Sequence, residues 1–133
     1  MLATGYTLSE ETALPFAEAV GRVRHELENE GFGVLCEIDV QATLKRKLGV
    51  EGEPYTILGA CNPALAHRAL EAEPDLGTLL PCNVAVYVRD GRTRIAAVDP
   101  EAMLSIVGND ALDAVAADVK ARLRGVVERA ATV

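Results

Sequence analysis

The chain has 133 residues, 50% of them hydrophobic and 25% charged, with a formal net charge of −7. This composition is typical of a folded domain and excludes a disordered chain. A domain of this length buries enough surface to need no disulfide or structural metal, so we expect one domain over residues 1–133. Nucleic-acid-binding surfaces need clustered positive charge and stacking rings. An acidic chain with 4% aromatic residues and no tryptophan is therefore expected to bind no nucleic acid.

The N-terminal sequence and the cysteines favour a cytoplasmic location. Residues 1–5 lack the basic start and apolar run of a secretory signal. The longest uncharged stretches, Pro54–Ala66 and Leu76–Val88, have 13 residues each, against the ~20 that a membrane-spanning helix requires. Three cysteines are an odd number in a chain that needs no disulfide, which favours reduced thiols. These cysteines are Cys36, Cys61 and Cys82.

The first predicted elements are a short strand over Thr4–Leu8 and a long amphipathic helix that begins at Ser9. Ser9 is a preferred N-cap residue, and the two glutamates after it would face the positive end of the helix. Gly31 is expected to end this helix close to Asn29. The predicted inward face has the helical spacing of three and four residues; it consists of Ala13, Phe16, Ala17, Val20, Val23 and Leu27.

A strand, a short helix and a second strand are predicted next. The first strand covers Gly33–Ile38, and alternation places Val34, Cys36 and Ile38 on one face. Asp39 is expected to cap the short helix, which Gly49 closes. The second strand covers Tyr55–Ala60. A further helix then begins at Asn62 as N-cap and Pro63 in the first turn, with Leu65, Ala66, Ala69 and Leu70 inward.

The segments Leu79–Arg89 and Arg92–Val98 predict a β-hairpin, because Asp90-Gly91 between two apolar runs is typical of a type I′ turn. The two-residue loop also predicts the pairing, which is Val88 with Thr93, Tyr87 with Arg94, Val86 with Ile95 and Val84 with Ala97. Both faces of the hairpin are fairly apolar. We therefore expect helices or a second subunit to cover both of them.

The C-terminal third predicts a short helix after Asp99-Pro100 and a long final helix capped by Asn109 or Asp110. The final helix carries a regular apolar stripe, made of Leu112, Val115, Ala116, Val119, Leu123, Val126, Val127 and Ala130. The pattern as a whole predicts an α+β fold. In it, about five strands, of which the hairpin is one antiparallel pair, form a sheet with two long amphipathic helices packed on it. The order of the strands is left open.

Two similar tripeptide contexts form the candidate site. Cys61 and Cys82 are each followed by Asn and flanked by a proline, at predicted strand boundaries. The pair suits a redox dithiol or a soft-metal site, or one thiol suits a nucleophile or a sulfur acceptor near a helix N-terminus. Free cysteines are also often small buried apolar residues, and this is the expectation for Cys36. The candidate binding residues are Cys61, Asn62, Pro63, Pro81, Cys82 and Asn83.

Other chemistry is not indicated by the sequence. A structural zinc site needs four ligands, so no such metal centre is predicted. No nucleophile–base motif surrounds either histidine, and the sequence identifies no catalytic residues, cofactor or substrate. Asn62 is expected to be a helix cap. Asn83 is expected to be buried in a strand, where its amide needs partners.

The segments Ile57–Pro63, Leu79–Val84 and Glu37–Lys45 together resemble the domain-of-unknown-function 302 family. The resemblance extends from the first strand to the last helix. It implies a TATA-binding-protein-like α+β fold with a curved antiparallel sheet, and it implies homodimers. That fold label does not bring DNA binding with it, and the resemblance supplies no activity and no catalytic residues.

Two functions from different classes follow from these observations. The first is a non-enzymatic homodimeric module that binds a small ligand or a partner in a cleft between sheet and helix. The alternative is a thiol protein that carries sulfur, exchanges disulfides or holds a soft metal through Cys61 and Cys82. A conventional hydrolase or transferase is disfavoured, because it needs a general base that the sequence does not show.

Overall fold

Residues 2–133 are described by a computed structural model, with side chains from Thr4 onward. Within this range the strands are β1 (Leu2–Ala3), β2 (Thr7–Thr12), β3 (Gly33–Asp39), β4 (Tyr55–Cys61), β5 (Cys82–Arg89) and β6 (Arg92–Val98). They form one sheet in the order β1-β2-β6-β5-β4-β3, and all neighbours are antiparallel. The predicted α+β class with an antiparallel sheet is confirmed.

The helices in the same range are α1 (Phe16–Asn29), α2 (Val40–Leu48), α3 (Pro63–Ala72), α4 (Pro100–Leu104) and α5 (Asp113–Ala131). Short 3-10 turns cover Pro74–Leu79 and Asp110–Leu112. The two long helices, α1 and α5, pack on each other and on the strands, as predicted. The core lies between them and one face of the sheet.

The hairpin and most helix ends follow the predictions. Asp90 and Gly91 both have positive φ, 54° and 76°, as a type I′ turn requires. All four predicted pairs of the hairpin are Cα partners. Every residue of the predicted stripe on α5 is buried. Asn109 caps the 3-10 turn that leads into α5.

The predicted helix start at Ser9 is wrong, because residues 7–12 form β2 and α1 begins only at Phe16. A helix from Ser9 to Asn29 would hold Pro15 in its interior. There the ring clashes with the preceding turn and a backbone hydrogen bond is lost, at a cost of about 3 kcal/mol. The segment pairs instead with β6. Ala13 and Ala17, predicted to face inward, are exposed, while Ala19 is buried.

The predicted face of β3 is also wrong. A β-bulge lies between Val34 and Cys36, so Val34 pairs with Ala60 while Cys36 pairs with Gly59. The inserted residue reverses the alternation, which places Cys36 and Val34 on opposite faces. Cys36 is exposed and is not the buried packing residue that was expected. In α3, Leu70 is likewise exposed at 38%, although Leu65 and Ala69 are buried as predicted.

Helices cover one face of the hairpin, and the opposite face is open in the part of the chain that the structure describes. The register places two rows of side chains across that open face. The central row is apolar except at its last residue, and it runs Ile38, Ile57, Ala85, Ala96 and Ser9. The neighbouring row is polar and aromatic, and it runs Tyr55, Tyr87, Arg94 and Glu11.

Candidate functional site

Both cysteine motifs lie at the same end of the sheet, because β4 and β5 are antiparallel neighbours. Ala60 is the Cα partner of Cys82, so Cys61 is the next residue along β4. A cavity of about 40 Å³ opens there between the strand ends and helices α3, α4 and α5. Four of the six predicted site residues line it, namely Cys61, Asn62, Pro81 and Cys82.

The other two predicted site residues lie outside this cavity. Pro63 occupies the start of α3 and is exposed. Asn83 is also exposed, which corrects the expectation of a buried amide. Adjacent residues of a strand point to opposite faces. Cys82 therefore faces the helices, while Asn83 lines a groove on the open face of the sheet.

Asn62 caps α3 as predicted and also ties that helix to α1. Its Oδ1 accepts a hydrogen bond of 3.3 Å from the backbone N–H of Leu65. Its Nδ2 donates to the carbonyl oxygen of Glu30, 3.5 Å away, just past the end of α1. Arg122 of α5 donates to the same carbonyl oxygen at 3.1 Å. The first Asn of the motif therefore joins three helices beside the cavity.

The three thiols have different surroundings. Cys82 is buried, and this burial, with a smaller contribution from Cys61, raises the pKa of its thiol to about 11. Cys82 is therefore protonated at neutral pH and is a weak nucleophile. Cys61 is half-buried at the edge of the cavity. The Cys36 thiol lies over Gly59, where a Cβ atom would come within 2.6 Å of its sulfur.

Met103 of α4 lines the same cavity, and no motif in the sequence marks it as a site residue. A methionine in an apolar helical pattern indicates core packing. Only the packing of α4 on α5 places Met103 in the lining of the cavity that both cysteines border. The rest of the lining is apolar apart from Asn62.

A second and larger site lies on the open face of the sheet, where a groove of about 1060 Å³ follows the strands. Its floor includes Ala85 and Ala96 of the central row, and its walls include Tyr55 and Tyr87. The sequence predicts a cleft between sheet and helix. The larger groove lies on the opposite face, because no helix of residues 2–133 covers these short side chains.

Arg94 is the cationic centre of this groove. Its Nη2 pairs with Oε1 of Glu11 at 2.8 Å. A hydrogen bond to Tyr87, followed by the charge of Glu11, raises the pKa of Arg94. Among the described side chains, the Nε of Arg94 is a buried donor with no hydrogen-bond partner. A buried donor without an acceptor is costly, so this atom is suited to receive an acceptor from a ligand.

Within residues 2–133, no three His, Cys, Asp or Glu side chains come close enough together to hold a metal ion. His25 and His67 are both exposed. In the same part of the chain, no helix is long and apolar enough to cross a membrane.

The fold and the two cavities define an α+β protein with helices on one face of an antiparallel sheet and a groove on the other. Residues 8–130 match the family model described as Domain of unknown function DUF302, and the chain belongs to this family. The predicted family is thus confirmed.

A solved relative supports the same assignment. The crystal structure of an uncharacterized conserved DUF302 protein from Bacillus stearothermophilus is similar to this chain, with a TM-score of 0.88. The two proteins are 32% identical, and the similarity covers 93% of this chain and 97% of the relative. No curated protein matches the chain.

Proposed function

We propose that the protein is a non-enzymatic, cytoplasmic binding module that acts as a homodimer and holds a small ligand in the groove on the open face of its sheet. The observation that carries this proposal is the Nε of Arg94, a buried donor without a partner in a groove of about 1060 Å³. The net charge of −7 favours a small ligand over nucleic acid.

The groove suits a flat ligand with an acceptor group. Small side chains at Ala85 and Ala96 leave the floor low, and Tyr55 and Tyr87 provide aromatic walls. An acceptor such as a carboxylate would receive the hydrogen bond from Arg94. A ring attached to it would lie over the alanines and against the tyrosines. Recognition of this type needs no general base, which agrees with the lack of a catalytic motif.

Benzoate is a suitable probe, because it combines a flat ring with a carboxylate. Titration into the ¹⁵N-labelled protein is expected to shift the amide signals of β5 and β6. Ala96→Leu would fill the floor and is expected to abolish these shifts, whereas Ala64→Leu on the exposed surface of α3 is the matched control. Shifts that are absent, or that persist in Ala96→Leu, would contradict the groove as the binding site.

The segment from β3 to Val50 supports the homodimer. None of the residues of α2 is buried, and every residue of β3 except Val34 is exposed. Large apolar side chains nevertheless concentrate here, namely Leu35, Ile38, Leu44, Leu48 and Val50. A short helix is stable only when its apolar face packs on something. Exposed apolar clusters of this kind are typical of protein interfaces.

A second copy of the chain fits this surface. Strand β3 is the last strand of the sheet, so its free edge is available for pairing. Charges of both signs border the cluster, as in the pairs Arg24–Glu37 at 3.1 Å and Lys45–Glu51 at 3.3 Å. Such a surface is complementary to itself when it is related by a two-fold axis.

Light scattering coupled to size exclusion tests the dimer. A mass twice that of the 14.1 kDa chain is expected. Replacing both Leu44 and Leu48 with Glu is expected to give a folded monomer, because it buries charge in the interface. Ile106→Glu is the matched control, since Ile106 is 78% exposed and lies outside the cluster. A monomeric parent protein, or a dimer that survives the double substitution, would refute this part of the proposal.

The alternative function is a thiol protein that uses Cys61 and Cys82 as a sulfur carrier, a dithiol or a soft-metal site. The specific observation in its favour is that both cysteine residues border one cavity. Labelling of the folded protein with iodoacetamide, followed by mass spectrometry, tests it. Rapid modification of Cys61 would support an accessible thiol, with the exposed Cys36 as internal reference. Modification of Cys61 only after denaturation would exclude it.

A further inference from the structure

Glu11 divides its carboxylate between two arginines at the edge of the groove. Its Oε1 lies 2.8 Å from Nη2 of Arg94, and its Oε2 accepts a hydrogen bond of 3.2 Å from Nη1 of Arg92. Strand register brings the three residues together. Glu11 and Arg94 are Cα partners in β2 and β6, and Arg92 precedes Arg94 by two residues, so both arginines point to the same face. The carboxylate is therefore shared and does not belong to Arg94 alone.

This division leaves one edge of the Arg94 guanidinium half filled. The Nε and Nη2 groups of an arginine lie on the same edge, and a carboxylate that faces such an edge frequently accepts from both groups in a bidentate pair. Here Nη2 has Oε1 of Glu11 as its partner, whereas the buried Nε has no acceptor in the described part of the chain. The oxygen that would complete the pair is the one that Arg92 holds.

Arg92 itself lies outside the groove. Arg94 is part of the lining and Arg92 is not, and the side chain of Arg92 is 71% exposed at the start of β6. An exposed ion pair contributes little to stability by itself. Its effect is on geometry, because it holds Oε2 of Glu11 away from a buried donor that is costly to leave without an acceptor. Without Arg92, the carboxylate would turn toward Nε and satisfy it.

We propose that Arg92 is a positioning residue that keeps the Nε of Arg94 free for the ligand of the groove. The acceptor oxygen of the ligand completes the guanidinium edge that Glu11 fills only by half. Loss of Arg92 closes the site from within the protein, because Glu11 then takes the place of the ligand's acceptor. This inference rests on the proposed binding function of the groove and adds a residue that controls the site without touching the ligand.

The first test needs no ligand. The ¹⁵Nε–¹Hε signal of Arg94, assigned by its loss in Arg94→Lys, is recorded for the free protein. In Arg92→Ala the Hε signal is expected to move downfield, because this proton gains a carboxylate acceptor. Arg92→Lys keeps a cation for Glu11 and is expected to leave the signal in place. Arg68→Ala is the matched control, since it removes the same charge from the exposed face of α3. A signal that stays unchanged in Arg92→Ala would overturn the proposal.

Titration with benzoate measures the consequence for the site. Arg92→Ala is expected to lower the affinity at least about tenfold, because a hydrogen bond to a charged group is lost. Combination with Glu11→Ala separates this effect from the lost charge. In that background, Arg92→Ala is expected to change the affinity by less than about twofold, since an exposed charge is screened. An equal loss in both backgrounds would overturn the positioning role, because Arg92 would then act through its charge alone.

The two tests separate the role of Arg92 from the function of the groove. A parent protein that binds no benzoate, with an Arg94 signal that moves in Arg92→Ala, would reject the proposed binding function and support the control of Glu11 by Arg92. Benzoate that binds the parent and Arg92→Ala equally well would retain the groove as a binding site and overturn the positioning role.

Discussion

Tyr55 and Tyr87 stack across strands β4 and β5 on the open face of the sheet, with ring centroids 5.1 Å apart and ring planes at 15°. They are Cα partners, so the backbone register places the two rings side by side. Partial burial, followed by the neighbouring Tyr87 and Tyr6, raises the pKa of Tyr55. Tyr87 is also the Cα partner of Arg94. The stacked pair therefore forms one wall of the groove and helps to position its cation.

A double-mutant cycle should detect the stack as a coupling energy. Tyr55→Ala, Tyr87→Ala and the double variant are compared by urea unfolding. A coupling of about 0.5–1.5 kcal/mol is expected, because aromatic pairs contribute this much beyond the area they bury. Tyr55→Phe keeps the ring and should retain the coupling. Strictly additive effects of the two alanine substitutions would show that the rings do not interact in solution.

Gly59 is expected to tolerate no side chain. A Cβ atom at this position would lie 2.6 Å from Sγ of Cys36 and 2.9 Å from Cγ of Pro81. Gly59→Ala should therefore lower the free energy of unfolding by about 1–3 kcal/mol, the usual cost of overpacking. Adding Cys36→Ala should recover part of the loss. Gly52→Ala is the matched control, since no atom lies within 4 Å of its Cβ position. Equal stability of the two single glycine variants would contradict the close contact.

Asn62 combines a helix cap with a tether, and two substitutions separate the roles. Asn62→Ala removes both the bond to the Leu65 N–H and the bond to the Glu30 carbonyl oxygen. It should destabilise the protein by about 1–2 kcal/mol. Asn62→Asp retains the cap and loses the donor, so its cost should be smaller. Thermal and urea unfolding measure both. Equal losses for Asp and Ala would mean that the tether, which both variants lack, contributes most of the stability, and a larger loss for Asp than for Ala would contradict the capping role.

The ionised carboxylate of Asp99 is expected to stabilise the folded protein, and this stabilisation is expected to be lost at acidic pH. Burial pushes the pKa of Asp99 upward, but hydrogen bonds from Lys120 and from the backbone N–H groups of Ala102 and Glu101 outweigh it and hold the pKa below its usual value. The Lys120 ammonium lies 3.0 Å from the Asp99 carboxylate. A lowered pKa means that the folded state binds fewer protons than the unfolded state. The stabilisation is therefore present above the unfolded pKa of about 3.9 and is lost as the pH falls through the folded value.

The measurement is the free energy of unfolding between pH 2 and 6. Asp99→Asn keeps a good helix cap and removes the titrating charge. The parent protein should lose more stability than this variant as the pH falls from about 5. Asp110→Asn, in an exposed turn, should follow the parent curve. Parallel curves for the parent and Asp99→Asn would show that ionisation of Asp99 does not raise the free energy of unfolding.

Several local features of the fold were predictable from the sequence, because each depends on residues that are close together in the chain. The Asp90-Gly91 turn specifies its own backbone twist, so the hairpin and its register were predicted pair by pair. Asn62, Asp39 and Asn109 act as caps because each side chain reaches a backbone N–H only a few residues away. The buried stripe of α5 follows from helical periodicity alone.

Other features depend on partners that are distant in the chain. Residues 7–12 form a strand because they pair with the edge of β6. Pro15 was a local signal against the predicted helix. No local sequence signal indicates the bulge beside Val34, which moves the side chain of Cys36 to the open face. One inserted residue reverses every later side chain of a strand.

The candidate sites show the same division. The repeated Cys-Asn pattern alone identified Cys61 and Cys82 as residues of interest. Their shared cavity, and the presence of Met103 in it, depend on the pairing of β4 with β5 and on the docking of α4. The groove around Arg94 exists because β2, β6, β5 and β4 lie side by side in the sheet. The sequence determined turns, caps and helix faces, because these need only near neighbours. Tertiary structure decided which distant residues share a site, because strand order and helix docking are set by packing across the whole chain.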